Sequence, residues 1–391
     1  MRMKKNEMRR SGMKRTGWSR FLSVVCTALL LAQVPAALAL AGNEVIIAGQ
    51  AVRANVQKLD LSDRGLSDIS ALAGLKRLTE LDLSDNQITS AAPLAGLKGL
   101  RKLHIQNNQI EEALPLASLA SLVELRMENN PAADLLALKA LPKLRKLSVS
   151  SDDLERVSQL KQVTELAVWG DAIDDLFPLL KMTNLRGLSV HSDALTDLTL
   201  LPMLAKLTDL ALTARDLTDL APLAQLQRVQ SLSLATSEIA DLRPLAQMPA
   251  LAELSLACQT LGDVTALAGA RRLHTLSLSA DALPDLSALA NLRRLRTLSL
   301  HCDSMEDLSG IGAVRQLTEL SVRGENLADI SALTRLTALR SLVVDSGVRV
   351  DCTPLAGLEG LRSLTLRGAS YAAEQMDLLR GMLPHCKINF E

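Results

Sequence analysis

From Val56 onward the chain repeats one pattern of apolar and polar positions every 22 residues, with apolar side chains at positions 1, 4, 6, 11, 14, 17 and 20 of each copy. The second copy reads LTELDLSDNQITSAAPLAGLKG from Leu78, the eighth LTDLALTARDLTDLAPLAQLQR from Leu207, and the eleventh LHTLSLSADALPDLSALANLRR from Leu273. A fixed period of this length marks a solenoid, because one such unit buries its apolar face only against its neighbours. Fifteen copies fit between residue 56 and about residue 382. The fifth, from Leu144 to Gln162, has only 19 residues, and the full register resumes at Val163.

Within a copy, apolar positions 4 and 6 alternate with polar or small residues at 3, 5 and 7, which predicts a half-buried strand. Position 13 is aspartate in eleven copies: Asp68, Asp134, Asp175, Asp197, Asp219, Asp241, Asp263, Asp285, Asp307, Asp329 and Asp351. An aspartate before an apolar-rich segment that ends in basic residues predicts a capped helical start. Pro93, Pro115, Pro178, Pro222, Pro244 and Pro354 all fall at position 16, inside a first helical turn, where a missing N–H costs nothing. Each copy is therefore expected to be a strand, a turn and a short helical segment.

The L-x-x-L-x-L-x-x-N-x-[IL] pattern in Leu78 to Ile88 and Leu100 to Ile110 resembles the leucine-rich repeat. The 22-residue period with its D-[IL]-x-x-L-x-x-L second half resembles the internalin and phosphatase-regulator subtype. The resemblance covers most of the chain. It implies an α/β leucine-rich-repeat solenoid, a right-handed horseshoe with a parallel concave β-sheet and short α or 3-10 helices on the convex side. Members of the family carry asparagine at position 9, which both donates to and accepts from neighbouring turns. Here Asn86, Asn108 and Asn130 keep it, and later copies carry Asp152, Asp171, Asp193, Arg215, Ser237, Gln259, Asp281, Asp303 and Glu325. Since a carboxylate cannot donate, the ladder of asparagines is expected to be incomplete after the fourth copy.

Residues 42–55 are left as a short N-terminal cap. At the other end YAAEQMDLLRGML predicts a fuller helix with Met376, Leu379 and Met382 facing inward. Residues 383–391 are then a closing edge strand, with Leu383, Cys386 and Ile388 at positions 1, 4 and 6.

Composition adds a leader. The first twenty residues hold eight basic side chains against Glu7, residues 21–41 carry no charge, and Ala39 and Ala41 form a small-residue cleavage signal. Residues 1–41 read as a secretory signal peptide, which makes the chain a secreted or cell-envelope protein. The alternative is an uncleaved membrane anchor. Loss of the leader takes away eight bases and one acid, leaving 35 basic against 42 acidic residues. That balance argues against nucleic acid or an anionic membrane surface as partner, both of which require a basic face.

No catalytic constellation competes with a binding role. Cys258 and Cys302 share position 8 two copies apart, at roughly 10 Å by strand spacing, beyond disulfide reach. With Cys352 and Cys386 they are expected to be free thiols. The aspartate column is read as capping, not as a cation site. The serines at position 5 (Ser148, Ser189, Ser233, Ser255, Ser277, Ser299, Ser321) lack a base and an oxyanion hole. Histidines 104, 191, 274, 301 and 385 are scattered, and no zinc, phosphate-loop or calcium-loop motif occurs. No enzyme activity, metal or cofactor is expected.

A partner would sit on the concave sheet, about 70 Å long at about 4.8 Å per strand. The first four copies present a mixed-charge patch there, and copies seven to twelve present mostly Ser, Ala and Thr. Between these zones lies Trp169 at position 7 of the sixth copy, with His191 in the same column of the next strand and Glu165 nearby. Trp169 is either a binding anchor or packing over the shortened copy. The site expected from sequence is Trp169, His191, Glu165, Glu128, Arg126, His104 and Glu124. A protein or peptide is the expected partner, and a glycan-binding or envelope-structural role is the alternative. A phosphatase-regulator role conflicts with export.

Overall fold

The computed structural model describes residues 44–390 apart from 48, 132–133 and 369–372, so the leader expected at 1–41 lies outside the described residues. Residues 58–390 contribute one strand after another to a single sixteen-stranded parallel sheet. Neighbouring strands pair in register at equal repeat positions, as in Leu210 with Leu188 and Leu232, or Leu212 with Val190 and Leu234. Positions 4 and 6 point inward and are buried along the array except at its first strand, where Leu59 is half-buried, and the apolar residues at 11, 14, 17 and 20 close the core from the convex side. Each such leucine contributes on the order of 1.5–3 kcal/mol by leaving water. The fold is thus an open α/β leucine-rich-repeat horseshoe whose convex segments are mainly single turns of 3-10 helix, such as Ala92–Gly96 and Ala221–Gln225.

All eleven position-13 aspartates accept a hydrogen bond from the backbone N–H two residues on, between 2.7 Å at Asp175 and Asp329 and 3.2 Å at Asp134. This turn satisfies an amide that would otherwise open the helical segment unpaired. Asp134 and Asp263 stand at the N-cap itself, whereas in the other copies the aspartate lies ahead of the cap residue and closes the turn that leads into the helical segment. The prolines at position 16 lie in the first turn, as in Ala92–Gly96.

The array contains two kinds of turn. In the first four copies the strands are three residues long, and Asp63, Asp85, Asn107 and Asn129 at position 8 adopt positive φ of 51–59°. Aspartate and asparagine tolerate that left-handed region better than other side chains. The kink turns position 9 inward, where Asn86, Asn108 and Asn130 bond the backbone of adjacent copies. From the fifth copy to the fifteenth the strands of the large sheet run five or six residues, and among the described residues there no non-glycine residue has positive φ. Position 8 becomes a small, mostly buried residue, such as Ser192, Ala214, Cys302 or Ser346. The ladder ends where sequence placed its end, and a straighter backbone replaces it.

The short fifth copy leaves the sheet intact: Lys146 to Ser150 pair residue for residue with Glu165 to Trp169. The missing triplet is taken from the convex side. There Leu154–Val157 forms an α-helical turn capped by Asp153, and Leu154, Val157, Leu160 and Val163 remain buried.

At the start, Glu44–Ile47 and Gln50–Arg53 form an antiparallel hairpin that turns at Gly49, with φ +76°, and buries Ile47 and Val52. At the end, helix Ala373–Met382 precedes an edge strand, Lys387–Phe390. Two expectations fail here. Met382 is 50% exposed, and Leu383 is buried in its place, because residues 376, 379 and 383 share one helical face. Leu383 therefore closes the helical side, the Cys386 N–H turns back to the Leu383 carbonyl, and the strand starts later than expected. Ile388 and Phe390 pair with Leu364 and Leu366, whereas Cys386 lies outside the strand and is half-buried.

Among the described residues all four cysteines are free. Burial pushes the Cys258 and Cys352 thiols up to about 11.

Candidate functional site

The exposed face of the sheet has three columns, at positions 3, 5 and 7. Position 3 alternates in sign over six consecutive strands, as Lys58, Glu80, Lys102, Glu124, Lys146 and Glu165. Opposite charges side by side on parallel strands stabilise the pairing. Lys58 meets Glu80 at 3.0 Å, and Lys146 meets Glu165 at 2.6 Å, a contact that raises the lysine pKa. The alternation stops at Gly187, where the next strand offers no side chain; Asp209 follows as an isolated charge, with the uncharged Ser231 on the strand beyond it. A Cβ at Gly187 would stand 3.2 Å from Glu165 Cγ, so glycine here gives the glutamate room.

Position 5 changes from charged to small. His104 bridges two carboxylates, Nδ1 at 3.3 Å from Asp82 and Nε2 at 3.2 Å from Glu124, and Arg126 approaches Glu124 at 3.5 Å. Beyond them come Ser148, Ala167, Ser189, Ala211 and Ser233, a floor with little relief.

Position 7 supplies a wall. Trp169 stacks on His191 with ring centroids 4.5 Å apart and planes within 3° of parallel. This separation is close to the strand spacing, so the two rings continue the register of their strands. Burial lowers the His191 pKa below the ordinary imidazole value, which favours the uncharged ring, and its Nε2 lies 3.0 Å from Ser189 Oγ. Two torsions and a stacked neighbour hold the indole, so it presents area to a ligand at small entropic cost.

Together these columns enclose a groove of about 800 Å³ on the concave face. Of the residues expected from sequence, Trp169, Glu165, Glu128, Arg126 and Glu124 line it. His191 lies behind Trp169 as its support. His104 belongs to a neighbouring depression of about 330 Å³ lined by Lys58, Glu80, Asp82 and Lys102. Sequence reasoning missed Lys146, Gly187, Asp209 and Ala211, although the sign alternation at position 3 and its break at Gly187 were visible in the repeat alignment. Two carboxylates of the groove make no ion pair among the described residues: Glu128, which accepts from Ser148 Oγ at 2.5 Å, and Asp209, which accepts from Thr208 Oγ1 at 2.6 Å. No group of three or more His, Cys, Asp or Glu side chains is arranged to hold a metal among the described residues. No helix among them is long and apolar enough to cross a membrane.

The family described as leucine-rich repeats, two copies, matches residues 54–96. No curated protein matches the sequence. Among solved structures, a leucine-rich-repeat protein of Leptospira interrogans shares 19% identity over 86% of this chain and 96% of that one, with a TM-score of 0.52. An internalin of Listeria monocytogenes shares 25% identity over 81% of this chain and 89% of that one, with a TM-score of 0.47. With its first two copies matched by the family and fifteen copies plus an edge strand stacked in one parallel sheet, this chain has the leucine-rich-repeat fold.

Proposed function

We propose that the chain is an exported, non-enzymatic binding module that holds a protein or peptide segment on its concave sheet. The leader at 1–41 supports export. The observation that carries the binding site is the groove of about 800 Å³ walled by the stacked Trp169–His191 pair. Solenoids use their concave surface for ligands, and a rigid aromatic in a partly enclosed site is the kind of residue that dominates interface energies. Glu124, Arg126, Glu128 and Glu165 set the polar rim, and His104 extends it toward the first copies.

The reading is tested by affinity capture with the full chain, run in parallel with Trp169→Ala and with Ala211→Trp, which fills the groove floor. A partner recovered by the wild type and lost by both variants, with their melting temperatures unchanged, supports the site. A partner held equally by all three places binding elsewhere on the molecule.

A further inference from the structure

Position 7 of four successive copies reads Glu128, Ser150, Trp169 and His191. The two rings stack 4.5 Å apart, one strand spacing. On the other side of Trp169 the paired residue is Ser150, whose Oγ is taken up by the Asn129 N–H at 2.9 Å. Serine is too small to cover an indole, so the next side chain of the column large enough to face that ring stands two strand spacings away, at about 10 Å. The next residue of the column is Glu128, which accepts from Ser148 Oγ and makes no ion pair among the described residues, although Lys102, Arg126 and Lys146 line the same groove. The column is thus ring, ring, gap, carboxylate, and both ends of the gap line the same groove.

A gap between an aromatic face and an unpaired carboxylate complements a flat cation. Arginine fits it better than lysine: its planar guanidinium stacks on the ring while its edge N–H groups bond the carboxylate, whereas an ammonium is a strongly hydrated point charge. The remaining groove volume lies over Ala167, Ser189 and Ala211, small enough for a main chain to pass, and Asp209 carries the same sign further along. We propose that the groove recognises an arginine side chain of an extended peptide segment, its guanidinium on the open face of Trp169 and paired to Glu128. This rests on the peptide-binding reading above and names the chemistry that the site selects.

The test is a random twelve-residue peptide display library panned on the full chain, with Ala211→Trp and Glu128→Gln as parallel targets. Circular dichroism establishes that both variants are folded, and Ser233→Trp replaces the first if it is not. The expected result is that peptides enriched on the wild type but not on the filled groove carry arginine. Binding of those peptides should weaken about tenfold or more on Glu128→Gln, the loss of a charge-assisted pair, and on replacing their arginine with citrulline or lysine. Groove-dependent peptides without arginine, or with equal affinity for Glu128→Gln, overturn the arginine site and leave the peptide-binding reading standing. Absence of any groove-dependent peptide overturns both.

Discussion

Replacing Asn108 by alanine tests whether the first four copies are held by a shared ladder. Asn108 is 7% exposed, donates to the carbonyls of Leu83 at 2.9 Å and Ile105 at 3.0 Å, and accepts from the Ile88 N–H at 3.0 Å. The carbonyls are shared: Leu83 O also receives Asn86, and Ile105 O also receives Asn130. Only the Ile88 amide is orphaned outright, which costs roughly 1–3 kcal/mol, and each weakened shared bond adds roughly 0.5–1.5 kcal/mol. Asn108→Ala should therefore destabilise the chain by about 3 kcal/mol, whereas Gln259→Ala, at the equivalent but exposed position of the tenth copy, should stay within about 0.5 kcal/mol. The pairing of donors on one carbonyl gives a sharper expectation. Asn86→Ala with Asn108→Ala strips both donors from Leu83 O, so the double variant should lose about 1 kcal/mol more than the sum of the singles. Urea denaturation followed by circular dichroism reads all four variants, with hydrogen exchange at Ile88 as the local probe. Additive single losses, or equal losses at Asn108 and Gln259, would refute the shared-ladder account.

The position-13 carboxylates give a pH dependence. Bonds from Ser, Thr and Arg residues two places on hold Asp68, Asp197, Asp263, Asp285, Asp307 and Asp351 below the usual value and bring Asp241 to about 2. A carboxylate depressed in the folded state stabilises it fully above about pH 4 and loses that contribution as the pH falls through the folded value. The melting temperature should drop continuously between about pH 4 and about pH 2; a flat profile there contradicts the role of these bonds. Leu212 is 1% exposed at the middle of the array, so Leu212→Asp should split calorimetric unfolding into two transitions, and one cooperative transition would show that the copies do not couple mainly to their neighbours. Burial raises the Cys258 and Cys352 thiols to about 11, so both should resist alkylation at pH 8 until urea is added. Rapid labelling of the folded chain at either residue, read by peptide mass spectrometry, would contradict the raised thiol values of the half-buried Cys258 and the buried Cys352.

Sequence displays the sheet clearly because a 22-residue period with two strand-facing apolar positions leaves one way to stack, and the pairing of Leu212 with Leu234 follows from it. The change of turn after the fourth copy was harder to see. Its signal lay at position 8, where Asp63, Asp85, Asn107 and Asn129 mark the left-handed kink, and not in the position-9 asparagines that the kink serves. The closing strand was misplaced because Leu383 fits both the start of a new copy and the end of a helix; the helical face through Leu379 decides between them. At the site, Trp169 and the charged residues before it stood out by type. Gly187 and Asp209 did not, because their importance lies in which neighbours they leave uncovered across strands, a property of register.

The most direct test of the binding account is the emission of Trp169 itself, measured in a full chain carrying Trp18→Phe so that one indole remains. Titration with a groove-selected, arginine-bearing peptide should shift that emission saturably, with the same midpoint as binding measured by calorimetry, and Ala211→Trp should abolish the binding. Peptide binding that leaves Trp169 emission unchanged and survives in Ala211→Trp would contradict the account.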